Sequence, residues 1–242
     1  MKKFIAIIFC FISFSTNAKY QEGYVEDFEK EYKVELAFIE KIKPIALEVN
    51  LEVLKERALI EAIDLENLSQ KDKDLLDEKA EKYDEFTRLK DNNRYIYLRE
   101  KLLDKIDAMP PSMLIAVSGI ETDFGRTRFV DEGNSLYKEV VWDDSGIKPI
   151  GEDEDAGYTI KKFNTLKDSM HSFLLKLNSS RDFAHLRFGR KLQRQKRRPM
   201  QGRDFAQDFH LRTPLKNFTG LLDYTITFYE LDELDRQNNY YR

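Results

Sequence analysis

The sequence predicts a mainly α-helical protein with a small β lobe. Charged residues make up 35% of the 242 residues, while glycine and proline contribute only 10 and 6, and this composition favours helices over strand-and-turn architectures. Apolar residues recur at three- and four-residue steps through most of the chain, whereas residues 140–163 are β-prone. The aromatic content of 12% argues against a disordered protein.

Residues 1–18 are typical of a secretory signal. Lys2 and Lys3 precede the apolar run "FIAIIFCFISF", and the small residue Ala18 suits cleavage. We therefore expect a periplasmic or secreted protein; an uncleaved anchor is the alternative, although the run is short for a membrane span. The only cysteine, Cys10, lies inside this segment, so the mature chain would have no disulfide and no thiol nucleophile or ligand.

Residues 19–108 form the second predicted segment, an N-terminal helical extension. Its first helix carries an apolar face, and Pro44 should kink or divide that helix. In "LENLSQKDKDLL", Ser69 is the predicted N-cap of a new helix, with Asp72 three positions on. A domain boundary is expected near 109, although the two parts should pack together.

Residues 109–242 form the third predicted segment. "MPPS" should start an apolar helix capped by Ser112 and ended by Gly125. The β-prone stretches "VVW" and "YTIKKF" predict a small hairpin lobe with the acidic run "EDED" at a tip. Helical spacing returns from Ser169 to Leu177 and again over 215–231.

Glu121 is the most unusual residue of this segment. On a helix it shares a face with Leu114 and Val117, so an acid points where apolar side chains point. Desolvation, the negative end of the helix dipole and the lack of cations on that face all favour its protonated form. Such a carboxyl can protonate a leaving oxygen near neutral pH. The alternative is a boundary glutamate that turns out to solvent.

A longer stretch resembles a known family. "PPSMLIAVSGIETDFGRTRFVDEGNSLY", then "GIKP" and "KKFNTLKDSMHSFLLKLNSSRDFAHLR", is similar to the Bax-like proteins of glycoside hydrolase family 73, the peptidoglycan glucosaminidases. The likeness covers about 110–225 well and the preceding helices more loosely, and its specificity comes from the order and spacing of several short motifs. It implies a lysozyme-like α+β fold with a cleft between the helices and the β lobe.

The resemblance also implies a reaction. Glu121 matches the family's general acid, which would protonate the oxygen leaving N-acetylglucosamine in the β-1,4 glycan of peptidoglycan. The family places a second acid on the β lobe. The candidates here are Glu152, Asp153, Glu154 and Asp155, of which we favour Glu154, and the substrate's acetamido group is the alternative. Phe124, at the family's tryptophan position, could stack on a sugar, and Asn134 and Tyr137 could line the cleft.

Departures from the family pattern keep other functions open. The tyrosine motif near the C-terminus reads "LRTPLKNF", with Leu211 and Phe218 in place of the two tyrosines, and Tyr224 or Tyr137 could substitute. The alternatives are lytic transglycosylase or muramidase cleavage, or a glycan-binding protein that has lost catalysis. Asn134 could equally be plain turn chemistry. The single tryptophan, Trp142, could be a stacking platform at the cleft wall, but we favour its interpretation as core of the lobe.

The remaining chemistry-bearing residues give weaker signals. The histidines, His171, His185 and His210, lack metal-ligand spacing, so we predict neither a metal nor a cofactor. The basic segment 181–203 could bind nucleic acid. The secretory signal argues against nucleic-acid binding. Two interpretations of the basic segment stay open: a cationic rim that attracts the carboxylates of peptidoglycan, and a solvated helix face. The expected partner is the peptidoglycan glycan strand, bound by a monomer.

Overall fold

A computed structural model describes residues 18–150, 157–209 and 217–238. It is mainly helical with one small two-stranded antiparallel sheet, which confirms the predicted fold class. The elements are, in order, α1 (Ala18–Glu61), α2 (Gln70–Lys82), α3 (Asp91–Lys105), α4 (Pro111–Thr122), α5 (Arg128–Gly133), β1 (Val140–Val141), β2 (Thr159–Ile160), α6 (Leu166–Ser179), α7 (Ala184–Gln195), α8 (Phe218–Phe228) and α9 (Asp232–Gln237). Short 3₁₀ helices cover Arg181–Phe183 and Gly202–Phe209.

The chain divides into two compact units, residues 1–37 and 38–242. The boundary predicted near 109 lies inside the larger unit and stays a prediction. Of the two effects expected of Pro44, the division of the first helix is wrong, because α1 runs from Ala18 to Glu61 with Pro44 inside it, and the kink stays a prediction. Burial of Ile42, Ala46 and Val49 stabilises the helix on both sides of the proline and outweighs the hydrogen bond that the ring removes.

Local capping signals confirm the next helix. The Ser69 side chain accepts from the Asp72 backbone N–H at 3.2 Å, and the Asp72 carboxylate accepts from the Ser69 N–H at 3.1 Å. Leu76, Ala80 and Tyr83 then face inward and are buried, as their spacing predicts. The same reciprocal cap, between Thr165 and Asp168, starts α6.

The β lobe is small. Val140 pairs with Ile160 and Val141 with Thr159, so both β-prone stretches contain a strand as predicted, and Ile147 forms a further bridge to Ile160. Gly146 is required at this bridge, because a Cβ there would lie 2.3 Å from Thr159 Oγ1 and 2.4 Å from the Ile160 carbonyl oxygen. The acidic run 152–155 lies outside the described residues.

The core of the larger unit is built around α4. Every residue from Pro111 to Gly119 is buried, and the helix packs against α8, α9 and the 3₁₀ segment Gly202–Phe209. The single last helix expected over 215–231 is wrong in its extent. Glu230, with φ of 53°, separates α8 from α9. Within the described ranges no helix is long and apolar enough to cross a membrane.

Candidate active site around the end of helix α4

Glu121 lies where the apolar helix leaves the core. All nine residues up to Gly119 are buried, whereas Ile120 and Glu121 are partly exposed. The side chain of Glu121 is therefore at the rim of the core, which is the position that the sequence predicts for it. The next residue, Thr122, is buried again, and its hydroxyl donates to the Ser118 carbonyl at 2.6 Å.

The backbone after Glu121 forms a strained turn. Three consecutive residues have positive φ, namely Asp123 (50°), Phe124 (49°) and Gly125 (83°), and the first two are not glycine. The turn is held by the Phe124 N–H donating to Gly119 O at 2.7 Å and the Gly125 N–H donating to Thr122 Oγ1 at 3.0 Å. The helix thus ends at Thr122, three residues before the expected stop at Gly125.

Phe124 is fixed by aromatic neighbours. Its ring meets Phe38 edge-on at 6.1 Å between centroids and is tilted against Tyr229 at 5.4 Å. A Cβ on Gly119 would lie 2.9 Å from the Phe124 ring, so this glycine permits the close approach. Phe124 therefore supports the turn that carries Glu121, and its predicted contact with a sugar stays a prediction. Tyr229 lies in the segment 215–231, which the sequence predicts as a helix with an apolar face. Its contact with Phe124 could not be predicted from residue spacing, because the two residues are far apart in the sequence.

The other end of α4 is fixed by Asp235. Its carboxylate accepts from the Ser112 N–H at 3.0 Å, the Ser112 hydroxyl at 2.5 Å and the Gly202 N–H at 2.9 Å. Ser112 was expected to cap this helix, but Ser112 lies within it and is itself capped by Asp235. Burial raises the pKa of Asp235 above its ordinary value, and these hydrogen bonds oppose that shift.

Asn134 closes α5 in a left-handed conformation, with φ of 50°. Its side-chain amide donates to the carbonyls of Phe163 and Asn164, both at 3.1 Å. These bonds use both amide hydrogens and tie α5 to the segment after β2, which supports the turn interpretation. The side-chain oxygen of Asn134 accepts no hydrogen bond from the described part of the chain, so it remains the atom that could contact a ligand.

Tyr137 is part of the core. It is only 7% exposed, it stacks on Phe173 with centroids 3.9 Å apart, and its hydroxyl donates to the Leu114 carbonyl at 3.1 Å. Burial raises its pKa well above the ordinary value. This placement does not support Tyr137 as a residue that lines a cleft. It instead braces α4, since Leu114 lies in that helix.

Trp142 is not in the core, and the interpretation that it is core is wrong. Its side chain is 77% exposed on the β lobe, where it meets Tyr158 edge-on at 5.8 Å. Strand β1 ends one residue earlier, so Trp142 is beyond the paired backbone. Tyr224, the other suggested substitute for the family tyrosine, is 59% exposed and stacks on Phe228.

The second acid is not placed. Glu154 lies outside the described residues, as do Glu152, Asp153 and Asp155. Glu139 is a further described acid with unusual surroundings, and the sequence did not single it out. Its pKa is raised by burial, Ser172 donates to its Oε2 at 3.1 Å, and its buried Oε1 has no hydrogen-bond partner within the described ranges.

His171 and part of the basic segment have structural contacts, whereas His210 lies outside the described residues. His171 Nε2 lies 2.6 Å from the Glu52 carboxylate and is partly exposed, at the rim of its helix. No cluster of three or more potential ligands for a metal ion occurs within the described ranges. Arg187 donates to the carbonyls of Leu177 and Ser180 near the end of α6. Lys196, Arg197 and Arg198 are exposed.

No family model, curated protein or solved structure matches the chain.

Proposed function

We propose that the protein is a glycoside hydrolase that cleaves the β-1,4 bond after N-acetylglucosamine in peptidoglycan, with Glu121 as the general acid. The observation that carries this proposal is the position of Glu121 at the end of a buried helix whose two ends are fixed by Asp235 and by the turn at 123–125. A catalytic carboxyl needs such a fixed position. The resemblance of the sequence to the Bax-like glucosaminidases supports this substrate, and the signal-like residues 1–18, which lie almost wholly outside the described residues, support a reaction in the periplasm or outside the cell.

In the proposed reaction, the Glu121 carboxyl gives its proton to the glycosidic oxygen while the bond from C1 to that oxygen breaks. The positive charge that develops at C1 is taken up either by a second carboxylate, for which Glu154 is our candidate, or by the oxygen of the substrate's acetamido group. Water then adds at C1 and loses a proton to the ionised Glu121. No cofactor is needed for this sequence of steps.

One observation favours a second candidate, a glycan-binding protein without catalysis. Phe218, at the position of a family tyrosine, is 2% exposed and packed in the core, so this position offers no hydroxyl to a substrate. The exposed Tyr224 is six residues further along α8. If neither it nor another hydroxyl replaces the lost group, binding without cleavage results.

The deciding experiment is digestion of purified sacculi with mass spectrometry of the products. We expect fragments with N-acetylglucosamine at the reducing end. The variant Glu121→Gln should release them at least about a hundredfold more slowly, because it removes the acid without changing its shape. The matched control is Glu100→Gln, an exposed acid of α3, which should cleave like wild type.

Four outcomes contradict the proposal. Equal digestion by Glu121→Gln would remove Glu121 from the reaction. Products that end in N-acetylmuramic acid would show a muramidase, and products that end in its anhydro form would show a lytic transglycosylase. Binding of sacculi by the wild-type chain without release of any fragment would establish the glycan-binding protein instead.

A further inference from the structure

The most exposed large aromatic side chain of the β lobe is Trp142. It is 77% exposed, and it stands against Tyr158 with 70° between the two ring planes. A tryptophan buries more apolar surface than most side chains when it is covered, so leaving it in water has a cost that a bound ligand would remove.

The backbone next to Trp142 is held by hydrogen bonds. Asp143 accepts from the Ser145 N–H at 2.8 Å and from the Ser145 hydroxyl, and the Thr159 hydroxyl donates to the Asp143 carbonyl at 2.8 Å. The Gly146 N–H in turn donates to Thr159 Oγ1 at 3.0 Å. This network connects the turn to β2, so the residue next to Trp142 is held in place without a ligand.

A cavity of about 290 Å³ opens beside the two rings. It is lined by Trp142, Asp143, Asp144, Lys148, Tyr158 and Thr159, together with the backbone of Gly157. This volume is at the lower end of small-ligand sites, which suits a single ring better than a folded peptide. The lining combines one aromatic wall with hydrogen-bond acceptors and one amine.

The charges of the lining select against anions. Hydrogen bonds from Ser145 hold the pKa of Asp143 below its ordinary value, so this carboxylate is ionised at neutral pH. Asp144 adds a second negative charge, and Lys148, whose amine lies 3.8 Å from Asp144, is the one cation among the described lining residues. A phosphate or an acidic peptide would meet net negative charge. A neutral ring with several hydroxyl groups would stack on the indole and donate to the carboxylates.

We propose that Trp142, Tyr158, Asp143 and Lys148 form a carbohydrate subsite that binds one N-acetylated pyranose ring of a glycan, with the ring stacked on the indole of Trp142. The identity of the sugar rests on the proposed function. The subsite would hold a glycan on the β lobe while another part of the strand is at Glu121. It would add binding energy without taking part in bond cleavage.

The chain offers an unusually direct test, because Trp142 is its only tryptophan. Intrinsic tryptophan fluorescence therefore reports on this side chain alone. We would titrate the full-length Glu121→Gln variant with the β-1,4-linked tetramer of N-acetylglucosamine. The expected result is a shift of the emission to shorter wavelength and protection from quenching by acrylamide. Unchanged emission and quenching at saturating tetramer would overturn the proposal.

A second measurement compares variants by calorimetry with the same tetramer. Trp142→Ala should weaken binding about fivefold, within the range of measured aromatic contacts, while Trp142→Phe should recover part of that loss because it keeps a ring. The matched control is Phe188→Ala, which removes an aromatic side chain that is 61% exposed on α7, and it should bind like the parent. Equal binding of the tetramer by Trp142→Ala and by the parent would overturn the subsite. It would also be overturned if an acidic stem peptide shifted the tryptophan emission and the tetramer did not.

The two proposals can fail separately. If Glu121→Gln still digests sacculi while the tetramer shifts the emission of Trp142, the acid is wrongly assigned and the subsite stands. If Glu121→Gln abolishes digestion while the emission stays unchanged, the reaction stands and the subsite falls.

Discussion

At the scale of single residues, the turn after Glu121 is the most constrained feature of the candidate site. Two non-glycine residues in the left-handed region cost free energy, and the surrounding hydrogen bonds must offset that cost. Gly125 relieves part of it, since glycine adopts a φ of 83° freely. The position of the acid therefore depends on a glycine four residues further along the chain.

We predict that Gly125→Ala destabilises the fold and lowers activity on sacculi. The added Cβ would lie 2.7 Å from Phe38 Cδ2, and the alanine would have to keep the positive φ of Gly125. Because both effects are unfavourable, the free energy of unfolding should fall by about 2 kcal/mol. Denaturant unfolding followed by circular dichroism measures this loss. Gly157→Ala is the control, because Gly157 also has a positive φ, 71°, but its Cβ would meet no atom of the described residues within 4 Å. Equal losses in the two variants would show that φ alone, and not the Phe38 contact, makes Gly125 necessary.

Glu139 gives a prediction about pH. Its pKa is raised from 4.5 by burial, so the folded chain holds a proton on this group at pH values where the unfolded chain has lost it. The free energy of unfolding should therefore fall as pH rises from about 4.5 through the raised pKa. Glu139→Gln removes this dependence and should be more stable than wild type at neutral pH by about 1 kcal/mol, with no difference in acid.

The control for Glu139 is a glutamate with the opposite shift. Hydrogen bonds from Arg128 lower the pKa of the exposed Glu132, so Glu132→Gln should slightly lower stability at neutral pH, with the difference disappearing in acid. Thermal unfolding of both variants across pH measures the two slopes. A variant Glu139→Gln that is less stable than wild type at neutral pH would show that the ionised carboxylate is stabilising.

Two aromatic residues show how far the sequence could predict the site. Tyr137 was expected in the cleft and Trp142 in the core, and the exposures are the reverse, at 7% and 77%. Lys138 lies between them in a left-handed conformation, with φ of 45°, and changes the direction of the chain. Strand β1 has only two residues, too few for alternation to predict which side chains face inward. Glu121 was predictable because it is an acid at the end of a continuous apolar run, and that contrast does not depend on strand register.

At the scale of elements, helices were predictable where their signals are local. The reciprocal caps Ser69–Asp72 and Thr165–Asp168 each lie within four residues of sequence. The cap of α4 is different, because its acceptor, Asp235, is 123 residues from Ser112. No spacing rule connects residues so far apart. The sequence could therefore predict α4 and its acid but not the contact that holds its start.

We predict that Asp235→Ala lowers the free energy of unfolding by about 3 kcal/mol, because it leaves the buried N–H groups of Ser112 and Gly202 without an acceptor. Asp235→Asn keeps one acceptor oxygen and should lose roughly half as much. Denaturant titration by circular dichroism gives both values. The effect on the candidate site is measured as the activity of Asp235→Asn on sacculi, under conditions where the variant is fully folded. We expect this activity to be reduced, because α4 also positions Glu121. Losses below about 0.5 kcal/mol in both variants would show that water replaces the cap.

At the scale of the larger unit, residues before and after 109 are joined by polar contacts in its interior. Asn50 donates to the Met109 carbonyl at 2.7 Å and accepts the Met109 N–H at 3.0 Å. Asp107 is 3% exposed and lies among three arginines, Arg57, Arg190 and Arg194. The sequence suggested that the two parts pack together, but the basic segment was interpreted by its charge alone. One of its arginines is a core residue.

Arg190 has the largest role in this network. It is 1% exposed, and its guanidinium donates to the carbonyls of Lys105 and Asp107 at 2.7 and 3.1 Å and to Asn178 Oδ1 at 2.7 Å. It thereby satisfies backbone acceptors at the end of α3 while its charge lies near the Asp107 carboxylate, 3.9 Å away. A neutral side chain of similar length would remove this donor from the Lys105 carbonyl and from Asn178 Oδ1, while the Asp107 carbonyl would keep the Asn178 amide as a donor at 3.0 Å.

We therefore predict that Arg190→Met lowers the free energy of unfolding by at least about 3 kcal/mol, the usual consequence of removing one member of a buried ionic network. Arg190→Lys should recover little of this stability. A planar guanidinium contacts the two carbonyls and the Asn178 amide oxygen at the same time, and a single amine cannot reach all of them. Arg181→Met, at an exposed arginine just before α7, should change stability by less than about 0.5 kcal/mol. Denaturant unfolding compares the three variants. If Arg190→Met is no more destabilising than Arg181→Met, the network around Asp107 does not hold residues 38–108 and the α4 region together, and the apolar core alone joins them.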